Sequence, residues 1–229
     1  MPDSSPIHLP FSDKYDRDHA LAYFHKHRDG LARRLSHRRE EQLARKALQR
    51  AGDPALVLDL PCGAGRFWPV LAERPQRAIL AADNSADMLA VARATQPAGI
   101  AQRVRTFQTT AFDIDLPERA VDCVFCMRLL HHVGDSGHRV ALLRELRRVT
   151  RDTVIVSLWV GGNYKAWKRA RLERQRALDY GRGLQNRFVI PVREAEQNFR
   201  DAGLRILGHY DFLPLYSMWR VYVLRREPA

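Results

Sequence analysis

Ten residues, Val57-Leu-Asp-Leu-Pro-Cys-Gly-Ala-Gly-Arg66, constrain this chain more than any other stretch. An apolar run ends on Asp59 and two glycines open the turn after it. A second apolar run, Ala78–Ala82, ends on Asp83, 18 positions beyond Gly65. This is the layout of a nucleoside site at the carboxyl edge of a doubly wound sheet. Gly63 and Gly65 lack a Cβ, so the backbone can turn sharply and let a ligand lie against it. A carboxylate closing the second strand is placed to accept hydrogen bonds from both hydroxyls of a ribose. The dinucleotide fingerprint would continue with Gly or Ala where Trp68 stands. An indole there blocks the close helix–strand approach that the small residue permits, which argues against NAD.

The rest of the chain agrees with an α/β fold. Residues 14–50 read as helical, with a break at Gly30. Leu31, Leu35, Leu43, Ala47 and Leu48 recur at three- to four-residue spacing, and Gly52-Asp53-Pro54 ends the run. Strands are expected at Ala55–Leu60, Ala78–Asp83, Val104–Thr109, Val121–Met127 and Thr153–Val160. Helices are expected at Gly65–Glu73, Ser85–Gln96 and Ser136–Thr150. Such alternation implies a parallel sheet with helices on both faces. Gly161-Gly162 closes the alternation, and a basic helical segment, a helix at Val192–Ala202 and strands at Arg205–Phe212 and Trp219–Arg225 follow. The short connection Leu213–Ser217 plus Met218 cannot hold a crossover helix, so the last two strands must be antiparallel.

The motif resembles the class I S-adenosylmethionine (SAM)-dependent methyltransferases, whose Asp/Glu-x-x-x-Gly-x-Gly signature is matched by Asp59, Gly63 and Gly65. The resemblance covers roughly residues 40–225 and is nearest the small-molecule branch, which includes quinone and other lipid-type enzymes. It implies a doubly wound, seven-stranded, mostly parallel sheet with a C-terminal antiparallel hairpin, in one methyltransferase domain. Residues 1–51 would form a helical cap, 52–160 the cofactor-binding core, 161–190 a basic helical insertion, and 191–229 the last helix and hairpin.

The resemblance also implies site residues. Asp59 would anchor the glycine loop and reach the methionine ammonium, and Asp83 would accept from the ribose. Asn84 follows Asp83, and Met88 lies one helical turn on, against adenine. Relatives carry Asp-Ala a few residues before Leu-Pro; here Thr110 stands at the Asp position and Asp113 arrives three residues later. Two registers therefore remain: Ala111 offers its N–H to adenine, or Asp113 its carboxylate, with Phe112 a stacking face in either. Met127 and Arg128, after the fourth strand, would line the methyl channel. The Asn/Asp-Pro-Pro-Tyr/Phe clamp of enzymes that methylate exocyclic amines or glutamine amides is absent at this point.

His132, beside His131, is the candidate general base, since imidazole titrates near neutral pH. The alternative is a histidine held by backbone near the strand end. Cys123 and Cys126 sit three apart in a strand, on opposite faces, so neither a metal nor a redox pair is expected. No metal-ligand cluster is visible.

The net charge of +12 has an uneven source. Residues 25–50 hold nine Lys/Arg against three acids, and residues 164–187 hold eight against two. Each segment nets +6, and the remainder is neutral. Within the second segment Tyr164 and Trp167 share a helical face among cations, a pattern suited to a ring-bearing anionic acceptor or to stacked bases. In relatives these two regions roof the acceptor pocket, where converging cations would focus a positive field.

The expected function is methyl transfer from SAM to O or N of a small or lipid-linked, anionic acceptor. Two rivals stand beside it: an RNA methyltransferase tracking phosphates with the basic segments, and a non-catalytic SAM-binding protein whose basic face docks a partner or an anionic membrane. The polar N-terminus carries no apolar leader pattern and no run reaches membrane-spanning length, so a cytoplasmic location is expected.

Overall fold

Val57 and Leu58 are neighbours in one strand, each fully buried, one in each of two separate cores. A strand covered on both faces needs apolar side chains at every position, and the unbroken apolar runs before Asp59 and Asp83 are the sequence trace of this. The computed structural model describes residues 30–180 and 187–228. The first half of the predicted 14–50 helix and residues 181–186 of the basic segment lie outside the described residues.

The elements are α1 (Leu31–Arg50), β1 (Leu56–Asp59), α2 (Trp68–Leu71), β2 (Ala78–Asp83), α3 (Ala86–Thr95), α4 (Ala98–Ala101), β3 (Val104–Gln108), β4 (Val121–Cys126), a 3-10 turn (Leu130–His132), α5 (Ser136–Val149), β5 (Thr150–Trp159), α6 (Tyr164–Tyr180), α7 (Val192–Asp201), β6 (Leu204–Asp211) and β7 (Trp219–Arg226). They form one seven-stranded sheet in the order β3-β2-β1-β4-β5-β7-β6. The first five strands are parallel; β7 pairs antiparallel with both β5 and β6. The predicted sheet and its C-terminal hairpin are thus observed. Side chains from α1, α2 and α3 share one core, and those from α5 and α7 the other. The chain steps outward from β1 through β2 to β3, then returns to β4 on the other side. That reversal opens a crevice at the carboxyl ends of β1 and β4, where ligands of such sheets bind.

Two elements differ most from expectation, and two short ones are added. The helix expected at Gly65–Glu73 shrinks to Trp68–Leu71, because Gly63 (φ +51°) and Gly65 (φ +71°) hold the preceding loop in left-handed turns. The strand expected from Thr153 begins at Thr150, whose hydroxyl donates to the Asp122 carbonyl at 3.0 Å and ties the strand start to β4. The short α4 and the 3-10 turn are additions; neither is long enough to show a periodic pattern. Cys123 and Cys126 enter opposite cores, as strand alternation requires. Burial pushes the Cys123 thiol up to about 12 and raises that of Cys126 as well, so both act as small apolar side chains.

Candidate active site

The glycine loop is built on Asp83. One carboxylate oxygen accepts the Gly63 N–H at 2.9 Å and the other the Ser85 N–H at 3.1 Å. Ser85 caps α3 by accepting the Met88 N–H at 3.2 Å. Asp83 therefore joins the loop after β1 to the helix after β2. Burial raises its pKa even though backbone donors favour the charged form. Gly65 is needed for two reasons: its φ is positive, and a Cβ would stand 2.8 Å from the buried Trp68 ring. Trp68, which argued against a dinucleotide, is the floor on which the loop rests. Gln96 completes the frame by donating to the Ala64 carbonyl at 3.0 Å.

Asp59, the last residue of β1, is 1% exposed, and neither of its carboxylate oxygens has a hydrogen-bond partner among the described residues. Burial first, and the Asp83 charge second, raise its pKa well above the ordinary carboxylate range. The Trp68 indole N–H acts in the opposite direction but makes no well-formed hydrogen bond to it. Leaving a buried acid unsatisfied is costly. A cationic ligand group at the end of β1 removes that cost, and the ammonium of SAM's methionine part fits this donor requirement.

The other residues implied by the resemblance divide clearly. Met88 is buried in a small cluster with Ala64 and Val91, apart from both large cores and against the glycine loop. Asn84 is exposed, and its carbonyl accepts from the Gln108 side chain at 2.8 Å. Ala111 and Phe112 pack partly buried on the core, while the Asp113 side chain is exposed. The Thr110 hydroxyl takes the Phe112 N–H at 3.3 Å. Met127 is buried in the core that also holds Phe67, Trp68 and Phe125. Arg128 carries a left-handed backbone (φ +69°), and its N–H donates to the Ser157 hydroxyl at 2.8 Å.

Arg128 leads to a cluster that the sequence did not reveal. Glu40, buried in α1, pairs with Arg128 at 3.1 Å and with Arg66 of the glycine loop at 3.0 Å. The Arg66 Nε also donates to His37 at 3.2 Å. One carboxylate on α1 thus holds together the loops after β1 and β4.

Beyond Arg128 stands an aromatic wall. Trp159 ends β5 and Trp219 begins β7, directly opposite in the strand register. The His131 ring stacks on Trp159 at 4.9 Å and meets Trp219 edge-on at 5.1 Å, with His132 tilted against it at 4.2 Å. Guanidinium groups lie over these rings: Arg128 at 5.1 Å from Trp219, and Arg169 and Arg187 at 5.1 and 5.7 Å from Trp159. Burial, then the charges of His132 and the surrounding arginines, holds the His131 pKa well below its usual value, so that imidazole stays neutral. His131 Nδ1 and Trp219 Nε1 are buried without partners among the described residues.

The wall is fixed from behind. Arg139, fully buried in α5, donates to the carbonyls of Val133 (3.0 Å) and Gly134 (2.8 Å), to Asn198, and to Glu194. The Phe188 N–H donates to the His131 carbonyl at 2.7 Å, and its ring fills the space a Cβ on Gly134 would need. Among the basic residues of α6, Arg169 turns to the wall. Tyr164 and Trp167 lie half-exposed beside Tyr216, and no described contact joins them to Asp59 or to the wall.

Comparison with known proteins finds similarity over part of the chain. The family model described as "methyltransferase domain" matches residues 57–153, a span that holds Asp59, both loop glycines and Asp83. That span, and not the whole chain, is similar to this family. A segment is 32% identical over 117 residues to the trans-aconitate 2-methyltransferase of Azoarcus sp. strain BH72, covering 49% of this chain and 41% of that protein. Another is 35% identical over 89 residues to an uncharacterized Synechococcus protein, covering 38% of this chain and 21% of that one. The chain thus spans less than half the length of these curated relatives.

Among solved structures, the magnesium protoporphyrin IX methyltransferase of Synechocystis PCC 6803, with bound S-adenosylhomocysteine, superposes with a TM-score of 0.74 at 16% identity. The superposition covers 94% of this chain and 97% of that chain. The [4+2]-cyclase SpnF superposes with a TM-score of 0.63 at 15% identity, covering 82% and 81% of the two chains. At these identities the superpositions speak for the fold, and the fold alone does not choose the reaction.

Proposed function

We propose that this chain is a SAM-dependent methyltransferase that moves the methyl group of SAM to an oxygen or nitrogen of a small or lipid-linked acceptor that carries negative charge and a flat ring. The carrying observation is the wall of Trp159, Trp219 and His131, overlaid by Arg128, Arg169 and Arg187 at the sheet edge that also bears Asp59. Rings stack on the indoles, and the guanidinium groups, already held over those indoles, meet the acceptor's charge.

SAM, when bound, supplies a methyl on a sulfonium that is already an excellent leaving group, so orientation of the acceptor can supply much of the rate. The chain's residues divide the remaining work. Asp59 accepts from the ammonium and Asp83 from the ribose while it holds the glycine loop; Met88 and the 111–113 segment border the adenine. The Trp159–Trp219 pair excludes water and fixes the acceptor plane. His132, half-buried at the rim of the wall, takes the proton that the acceptor atom loses, while neutral His131 behind it keeps the ring in place.

The RNA alternative loses support from the first basic segment. Arg39 donates to the Phe212 and Asp211 carbonyls, Arg45 pairs with Glu73, and Arg50 donates to the Leu207 carbonyl. Those cations stabilise the fold and are not arrayed for phosphates. The test is methyl transfer from radiolabelled SAM to a panel of aromatic and aliphatic carboxylic acids that also bear a hydroxyl or amine as acceptor, with SAM affinity measured calorimetrically. Trp159→Ala and Arg169→Glu should raise acceptor KM about tenfold with SAM affinity unchanged. His132→Ala should lower kcat on the order of 100-fold, again without touching SAM binding. An acceptor KM indifferent to Trp159 and Arg169 overturns the acceptor reading.

A further inference from the structure

The outward face of α6 presents a stripe that the acceptor wall does not use. Tyr164, Trp167, Lys168, Arg171 and Leu172 recur at three- and four-residue spacing and so share one side of the helix. Trp167 is 55% exposed and Tyr164 and Leu172 about as much, whereas Ala166 turns inward and is buried. This is a helix with its large apolar side chains facing water.

The β6–β7 connection continues the patch. The Tyr164 N–H donates to the Leu215 carbonyl at 2.9 Å, and the Lys165 N–H to the Tyr216 carbonyl at 3.0 Å. Tyr164 and Tyr216 stack at 5.7 Å, and the Lys165 ammonium lies 5.2 Å from the Tyr216 ring centre. Leu213 is half-exposed, and Leu215 at the tip is 84% exposed. Leu215 also has φ +60°, a left-handed conformation that glycine or asparagine adopts with less strain. A branched aliphatic residue held there, with its side chain in water, gains nothing inside the fold.

We propose that this face docks on an anionic lipid bilayer. Leu213, Leu215 and Trp167 enter the boundary between headgroups and acyl chains. Tyr164 and Tyr216 sit at headgroup level, and Lys165, Lys168 and Arg171 meet lipid phosphates. Charge complementarity and the aliphatic tip choose this occupant. Single-stranded RNA binds through ring stacking and phosphate contacts and has no use for two exposed leucines at a strained turn. The contact is with the surface, since no helix among the described residues is long and apolar enough to cross a membrane. The proposal does not depend on the acceptor reading, because the stripe is separate from the wall.

The experiment is co-sedimentation of the full chain with phosphatidylcholine vesicles, with and without phosphatidylglycerol, at low and high salt. Wild type should partition to the anionic vesicles and release at high salt. Leu215→Asn suits the left-handed backbone, so it should fold at least as stably and bind SAM normally, yet lose about tenfold in vesicle affinity. Lys165→Glu/Lys168→Glu should lose at least as much at low salt. Three results overturn the proposal: no partition of wild type at low salt; affinity unchanged in Leu215→Asn; or a concentration-dependent dimer that Leu215→Asn abolishes, which would make the face a contact between copies. Binding of mixed-sequence RNA, lost in the double lysine variant, with no vesicle binding, assigns the patch to nucleic acid and overturns it equally.

Discussion

Asp59 and Glu40 are both buried carboxylates, and the chain treats them in opposite ways. Glu40, on α1, is met by two guanidinium groups, Arg66 and Arg128, and its charge is neutralised within the protein. Asp59, at the end of β1, has no hydrogen-bond partner among the described residues, and burial raises its pKa. A charge whose work is architectural is satisfied by the fold. One left without such a partner stays expensive until a cationic group meets it.

The comparison can be broken most forcefully at Glu40. Glu40→Ala leaves two largely buried guanidinium groups without their anion, and removal of one partner of a buried pair costs about 3 kcal/mol. Chemical denaturation should show that loss, and SAM affinity should weaken as the loops after β1 and β4 separate. A stability change below about 1 kcal/mol would mean the clamp is a surface pair of little worth.

Asp59→Asn should act in the opposite sense. It removes an unpaired buried carboxylate, so the ligand-free protein should gain about 1 kcal/mol or more at neutral pH. SAM affinity should fall tenfold or more, because hydrogen bonds to charged groups are worth roughly 1.5–3 kcal/mol. The pH dependence follows from the raised pKa. Folded Asp59 keeps its proton above the pH at which an unfolded aspartate loses it. Its contribution to stability is therefore complete below the ordinary aspartate pKa of 3.8 and is lost as pH rises through the raised folded value. Thermal melts across that window should decline for wild type and flatten in the variant. Equal slopes would show that the carboxylate is paired after all. Asp83→Ala lies between the two cases: it removes the proposed ribose acceptor and also the tie between the glycine loop and α3, so affinity should fall about tenfold with some loss of stability.

Gly65→Ala sharpens the same region at smaller scale. The new methyl meets Trp68 at 2.8 Å in a left-handed backbone, so a cost of about 1–2 kcal/mol is expected. Arg34→Glu/Arg38→Glu, on exposed positions of α1, should change acceptor KM least of all. A large effect there would restore the first basic segment to a binding role.

Much of the cofactor half was legible before the structure. The strand ends at Asp59 and Asp83, the two glycine positions and the antiparallel close are local matters of apolar run length, absent Cβ atoms and connection length. The proposed acceptor half was less so. Aromatics and cations alternate around Tyr164 and Trp167, but helix periodicity gives a shared face and not which way that face points. The aromatic wall of Trp159 and Trp219 joins residues 60 apart in the chain, which become neighbours only when β7 inserts between β5 and β6. Glu40 and Arg139 carried no signal either, since a charged residue on a helix reads as solvent-facing until its partners arrive from other elements.

The sequence by itself determined the strands, the turns and the placing of an acid at the end of β1, because hydrophobic period and backbone freedom act between residues close along the chain. The sheet order decided which distant side chains meet. Only after that order existed could Glu40 become a clamp, Trp159 and Trp219 a wall, and the stripe of α6 an outward face.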